Sequence, residues 1–323
     1  MRGIFLFRAI PIAYLINFIW DIYWKHKKPV KINSKVISIG NIAVGGSGKT
    51  TLAGFVARSL LDQGYKVALV ARGYGRLSKS SATLCGNSDI SWESVGDEPA
   101  ALARSIPGLT IYVDSNKTKA ARQAAEGGFQ YIIIDDGFQH RNLYRDIDIV
   151  CIEGKKPFGN GFLLPAGPLR EPPRSIKRAD ILVAFGPDEE KAVLREVSGK
   201  PLFNARKVVS GIKDLNGQSV DLIGKRLVAF CGLGNPNSFR ESLSEIKCDI
   251  AEFMTYRDHK RYQARDIKNI AARVNNTNSY GAITSLKDLV KLKGIWPINT
   301  PLYYLEISIE LDNRPEFLKL LTK

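Results

Sequence analysis

The stretch GNIAVGGSGKTT, residues 40–51, follows the apolar run VISI (36–39) and precedes the helix-spaced LAGFVARSLL (52–61). Strand, glycine-rich loop and helix in that order make a phosphate cradle. Gly45, Gly46 and Gly48, with Ser47 among them, let backbone N–H groups converge on phosphate oxygens, and the helix that follows offers its positive end. Lys49 is placed to reach β and γ phosphates and the Thr50 hydroxyl to ligate Mg²⁺, with Thr51 completing the loop. The strict pattern GxxxxGK[ST] is broken, because the residue five before Gly48 is Ala43. What survives, GGSGKTT (45–51), still reads as a nucleotide site because its flanks are right.

Outward from that loop, short apolar runs recur with helix-length stretches between them: KVALVA (66–71), LTIYV (109–113), YIIID (131–135), IDIVCI (147–152) and DILVAF (180–185). Such β-branched runs are strands buried on both faces, so the expected fold is α/β: a P-loop NTPase-like, mainly parallel sheet with helices on both faces. Ligands of such sheets bind at the carboxyl ends of the strands. After about residue 205 the pattern restarts in RLVAFCGLGNPNSFRESL (226–243), GAITSLKDLVKL (281–292) and LYYLEISIEL (302–311), which predicts a second, smaller α/β lobe. The expected division is a membrane-associated helix at 1–28, a P-loop domain at 29–205 and the second lobe at 206–323. GLGNPN (232–237) has Asn237 where a dinucleotide fingerprint needs its third glycine, so it reads as a plain strand-to-helix turn. The Pro- and Gly-rich run at 155–175 is too long for a simple connection and is expected to be a functional loop.

Of 323 residues, 44% are hydrophobic and 24% charged, which excludes a disordered chain. The net charge of +15 calls for an anionic partner, and its placement says which. Residues 1–35 hold seven Lys or Arg against one acid, Asp21. In MRGIFLFRAIPIAYLINFIWDIYWKHKK (1–28) the neutral run Ala9–Trp20 has 12 residues, whereas a spanning helix needs about 20. The apolar run is followed by DIYWKHKK and not by a small-residue cleavage site, so the segment is expected to be retained. The expectation is a helix in the interfacial plane, with Trp20, Tyr23 and Trp24 at headgroup depth and the lysines on an anionic membrane surface; packing into a core is the alternative. No nucleic-acid partner is expected, since the excess charge is not interleaved with the aromatics of an RNA-binding sheet. The four cysteines are scattered, which speaks for a reducing compartment and against zinc.

A nucleotide site needs a carboxylate at the end of a neighbouring strand, and YIIIDDGFQH (131–140) supplies Asp135 and Asp136, one of which is expected to serve Mg²⁺. Two classes then compete. A membrane-docked P-loop ATPase switch of the partitioning type has a loop close to GGSGKTT, with Lys where this chain has Val44, and needs no acceptor site. A kinase needs polar groups for an alcohol, and RGYGR (72–76), VGDEP (95–99), PLREP (168–172) and Asp258-His259 are candidates.

Taken in order, GNIAVGGSGKT, ARGYGR, VGDEP, DDGFQHR, GNGFLLPAGPLREP, GLGNPNSF and YRDHKRY resemble the tetraacyldisaccharide 4′-kinase family of lipid A (lipopolysaccharide) biosynthesis, nearly from end to end. The resemblance implies an enzyme that uses ATP and Mg²⁺ to phosphorylate the 4′-hydroxyl of an acylated glucosamine disaccharide 1-phosphate lipid at the cytoplasmic face of the bacterial inner membrane. It implies Asp97 as the base, His259 as its partner, and Lys49 and Asp135 as further catalytic residues. Thr50, Asp136 and Glu171 would stand near the metal; Arg72, Tyr74, Gln139, His140 and Arg170 would face substrate, with the two arginines neutralising phosphate charge. Since Asp97 and His259 fall in different expected lobes, closure over substrate is expected too. The chain departs from the family pattern at Thr51, at Leu286 and at Lys117, where Pro, Glu and Arg are usual.

Overall fold

The computed structural model describes residues 2–46, 48–86, 91–153, 157–186, 198–297 and 299–323, with side chains of the first helix from Pro11 onward. Its strands in chain order are β1 (Lys35–Gly40), β2 (Val67–Ala71), β3 (Ala82–Cys85), β4 (Thr110–Val113), β5 (Tyr131–Asp135), β6 (Ile147–Glu153), β7 (Ile181–Phe185), β8 (Leu202–Asp214), β9 (Arg226–Cys231), β10 (Asp249–Thr255), β11 (Gly281–Ser285) and β12 (Leu302–Leu311). Contacts divide the chain into two compact units, residues 1–72, 108–206 and 309–323 forming one, residues 73–107 and 207–308 the other.

In the first unit the strand order is β8-β7-β6-β1-β5-β2-β4. The pairs β1–β5, β1–β6, β2–β5, β2–β4, β6–β7 and β7–β8 are all parallel. Every residue of β2 and β5 is buried, so both sheet faces are covered, as unbroken apolar runs require. Helix Lys117–Glu126 lays Ala120, Ala121 and Ala124 on Val36, Ala68, Val70, Ile132 and Ile134. The last helix, Arg314–Thr322, drives the fully buried Phe317 between Phe55 and Phe203, so the chain's final segment joins this unit and not the second one.

The second unit has the order β10-β9-β11-β12-β8. Alternation along β9 sorts its side chains to two cores. Val228 and Phe230 pack with Ile267, Ile270 and Val274 of helix Ala264–Asn276, while Leu227, Ala229 and Cys231 pack with Phe239 and Leu243 of helix Pro236–Ser244. The GLGNPN segment is the strand-to-helix turn expected: Asn235 caps the helix by accepting from Ser238 N–H, and Pro236 takes the first helical position.

No helix of the described residues is long and apolar enough to cross a membrane. The first helix, Arg2–His26, exposes Ile12, Leu15, Ile16, Phe18, Ile19, Trp20 and Tyr23 by between 46% and 59%. It is tied down at two polar points, Asp21 to Arg141 at 2.8 Å and Tyr14 Oη to Gly161 O at 3.2 Å.

Candidate active site

The carboxyl ends of β1 and β5 lie side by side, with Ile39 paired to Asp135. Beyond β1 the chain turns through Gly45 (φ 126°) and Gly48 (φ 79°) into helix Lys49–Asp62. Gly48 caps that helix in left-handed backbone, and a Cβ there would stand 2.7 Å from the Phe185 ring, so glycine is required twice over. Around Gly45 and Gly46 the space is open, as a loop that meets phosphate with its backbone needs. Ser47 lies outside the described residues, and Thr51 is half-buried in the helix's first turn.

Thr50 Oγ1 donates to Asp135 Oδ2 at 3.2 Å. A hydroxyl beside a carboxylate is an oxygen donor set of the kind Mg²⁺ takes, so these two residues fit the ion. Asp136, in left-handed backbone at φ 48°, points elsewhere: both its oxygens accept from Arg170 at 2.9 Å, and Lys49 Nζ is 3.8 Å away. Burial raises the Asp136 pKa, but Lys49 and Arg170 outweigh it and hold the carboxyl below its ordinary value. Glu171 is buried under Arg178 at 2.7 Å, Arg141 at 2.9 Å and Gln139 at 3.1 Å. Its burial is likewise outweighed, chiefly by Arg178, and its pKa is lowered. The three acids named from sequence as neighbours of the metal thus do three jobs: Asp135 meets Thr50, Asp136 anchors Arg170, and Glu171 ties two arginines.

Lys117 clamps the strand end. Its ammonium donates to the carbonyls of Asp135 at 2.7 Å and Asp136 at 2.6 Å, and its burial lowers its pKa against the pull of Asp136 and Asp135. Gln139 donates to Asn41 O at 2.8 Å, joining the two loops. Of the long Pro- and Gly-rich loop, residues 155 and 156 lie outside the described residues, and 157–175 is pinned to the phosphate loop by Val44 N–H to Pro168 O and Arg170 N–H to Ile42 O. Arg72 is exposed.

His140 Nε2 sits 2.8 Å from Thr118 Oγ1, and its pKa falls from 6.5 to about 4, first through burial and then through Lys117 and Arg145. The unfolded chain therefore binds a proton that the folded one does not, and stability declines as pH falls from 6.5 to about 4. We expect a loss of about 1–2 kcal/mol over that window, reduced because the ring is partly reached by water. Urea midpoints at pH 7.5 and pH 5 will separate more for the native chain than for His140→Gln. Equal separation refutes the assignment.

The second unit holds the other group. Asp97 opens helix Asp97–Ser105, where the positive helix end favours a carboxylate, and only 3% of its side chain is exposed. His259 Nδ1 lies 3.1 Å and 3.0 Å from its two oxygens. With a carboxylate opposite, Nδ1 is the donor. Burial raises the Asp97 pKa, but the His259 bond, Lys287 and Lys291 outweigh it and hold the group below its ordinary value. Tyr74 lies against His259 with ring centroids 4.9 Å apart. Sequence reasoning put Asp97 and His259 in different lobes; the fold puts both in one unit, because 73–107 joins 207–308. The expectation of closure between those two residues is withdrawn accordingly.

Sequence reasoning also passed over Arg141, Arg178, Lys287, Asp288 and Lys291. The available signal for the last was a lysine within the apolar spacing of LKDLVKL (286–292).

A family model described as tetraacyldisaccharide-1-P 4′-kinase matches residues 9–323. The tetraacyldisaccharide 4′-kinase of Syntrophus aciditrophicus is 36% identical over 313 residues, covering 90% of this chain and 84% of that one. That of Geobacter metallireducens is 36% identical over 276 residues, with 81% and 80% covered. Among solved structures, LpxK of Aquifex aeolicus, an "apo" form in complex with ATP, superposes with a TM-score of 0.79 at 30% identity and 98% coverage of both chains.

Proposed function

This chain belongs to the tetraacyldisaccharide-1-P 4′-kinase family, and we propose that it transfers the γ-phosphoryl group of ATP to the 4′-hydroxyl of a tetraacyl disaccharide 1-phosphate in lipid A biosynthesis. The observation that carries the reading is the buried Asp97–His259 pair, since a nucleotide switch needs a phosphate loop but no carboxylate held for an acceptor alcohol.

Phosphoryl transfer asks little covalent help of a protein and much positioning and charge. The helix start at Lys49–Asp62 and the Lys49 ammonium would receive phosphate oxygens, with Arg170 delivering a second cation beside Asp136. Bound Mg²⁺, held by Thr50 and Asp135, would supply further charge neutralisation. Asp97, kept ionised, accepts the hydrogen bond of the sugar hydroxyl and takes its proton as the oxygen–phosphorus bond forms and the bond to ADP breaks. His259 orients it through Nδ1–H. Lipid-bound label after incubation with γ-labelled ATP and detergent-dispersed substrate is the expected outcome; ATP hydrolysis with unlabelled lipid would overturn it.

The substrate's acyl chains give the first helix its use. Its exposed Ile, Leu, Phe and Trp side chains, followed by Lys25, Lys27, Lys28, Lys31 and Lys35, suit an interfacial helix on anionic lipid at the cytoplasmic face of the inner membrane. Lys27 lies 5.1 Å from the Trp24 ring centroid, joining charge to aromatic belt. The full chain will float with vesicles containing phosphatidylglycerol, and Ile16→Asp/Trp20→Asp will remain at the bottom of the gradient. Flotation of that variant at the native level removes the helix from membrane docking.

A further inference from the structure

The segment TSLKDLVKL (284–292) carries two lysines in a run otherwise spaced for burial. Lys291 is wholly buried, as is Asp288, and Asp97 is nearly so. A lysine withdrawn from water is costly unless paired. Its ammonium lies 2.8 Å from Asp288 Oδ1 and 3.5 Å from Asp97 Oδ2, and 5.6 Å from the centroid of the Tyr262 ring. Neither carboxylate contact has hydrogen-bond geometry, so Lys291 acts through its charge. Asp288 is itself held, with Oδ2 accepting from Gly232 N–H at 2.9 Å and Ser285 Oγ at 2.8 Å. At Gly232 a Cβ would come within 3.1 Å of Arg257 O and of Asp288 Oδ1, which gives the GLGN turn its first glycine.

Buried ion pairs are a weak source of stability, since apolar residues of like volume often serve folding as well. Three charged groups in one dry pocket therefore need a use beyond folding. On the reading of Asp97 as the acceptor-side carboxylate, we propose that Lys291 is a positioning residue which, seated on Asp288, fixes the Asp97 carboxylate against His259.

Asp97 is met by His259 from one loop and by Lys291 from residues 286–292, with Lys287 acting on it by charge, while Asp258 pairs with His259 and Lys287, Asp288 with Lys291, and Glu98 with Lys287. Lys287 is shared between Glu98 at 3.3 Å and Asp258 at 3.2 Å and is partly reached by water. Lys287 nevertheless has the larger charge effect on Asp97, and the wholly buried Lys291, its charge shared with Asp288 at 2.8 Å, adds to it from 3.5 Å. Tyr262 stays neutral, because burial, with Asp288 adding to it, pushes its phenol far above the usual range. The His259 bond is the largest of the effects that keep Asp97 a carboxylate, and Lys287 and Lys291 add to it by charge.

The test uses the full chain with Lys291→Met, which keeps the apolar stem, and the double variant Lys291→Met/Asp288→Asn, which leaves neither charge stranded. The Asp97 carboxyl is titrated by ¹³C NMR, assigned by its loss in Asp97→Asn, and kcat and KM for lipid phosphorylation are followed against pH. We expect the Asp97 midpoint to rise by about one pH unit or more in the single variant and in the same direction in the double. The acid limb of kcat will rise with it while KM for ATP stays near native. An unchanged Asp97 midpoint in either folded variant, or a loss of activity equal at every pH, overturns the proposal. Should the native chain label no lipid, the kinase reading fails, and the Asp97 titration still decides the role of Lys291.

Discussion

Replacing Asp97 by asparagine will slow phosphate transfer to the lipid by about 10²–10⁴-fold, the range that a positioned acid or base contributes. Asparagine keeps the shape and length of the side chain, so His259, Lys287 and Lys291 keep their surroundings while the acceptor of the hydroxyl proton is lost. Two effects separate from the rate. ATP affinity stays close to native, because the contacts of Asp97 are made to His259 and Lys291 in its own unit. Stability also falls at neutral pH. A carboxylate whose folded pKa lies below 3.8 contributes stability above that value and loses it as pH drops further, so native and Asp97→Asn proteins converge in acid. Single-turnover transfer of labelled phosphate measures the first effect and urea unfolding at pH 7 and pH 3 the second. A variant that transfers phosphate within tenfold of native would make the carboxylate dispensable.

Lys49→Ala is expected to lower kcat/KM for ATP by about 10²–10³-fold, the cost of removing one preorganised donor from a developing charge. The helix that Lys49 begins is capped by Gly48 in left-handed backbone, which the substitution leaves alone, so the fold is retained. Asp136 then keeps Arg170 as its cation and loses the contact to Lys49 at 3.8 Å, which lets its pKa move back toward the ordinary value. Steady-state turnover together with calorimetric ATP binding checks this. Native turnover would show that the loop does not hold the transferred phosphate.

The six apolar runs read as strands of the first unit are β1, β2, β4, β5, β6 and β7, because a strand buried on both faces writes itself as an unbroken β-branched run. β8 and β10 were not legible. LFNARKVVSGIKD and DIAEFMT mix charge and apolarity, since most of their residues are only half-buried and no alternation is imposed. The phosphate loop was legible because its parts are consecutive. Lys291 was not, because a lysine at helical spacing reads as a solvated one until its neighbours are known.

Order of motifs sufficed to name the family and its reaction, since motifs are matters of residue type and local spacing. Partnerships across long separations were another matter. Asp97 meets His259 across 162 positions, Asp21 meets Arg141, and Asp135 takes Thr50 while Asp136 takes Arg170. The last of these follows from a single backbone feature, the left-handed turn at Asp136, which sends one carboxylate to a hydroxyl and its neighbour to a guanidinium. Chain connectivity carries no record of which segments share a core, so residues 73–107 and 309–323 found their units only when burial of their apolar side chains was settled in three dimensions.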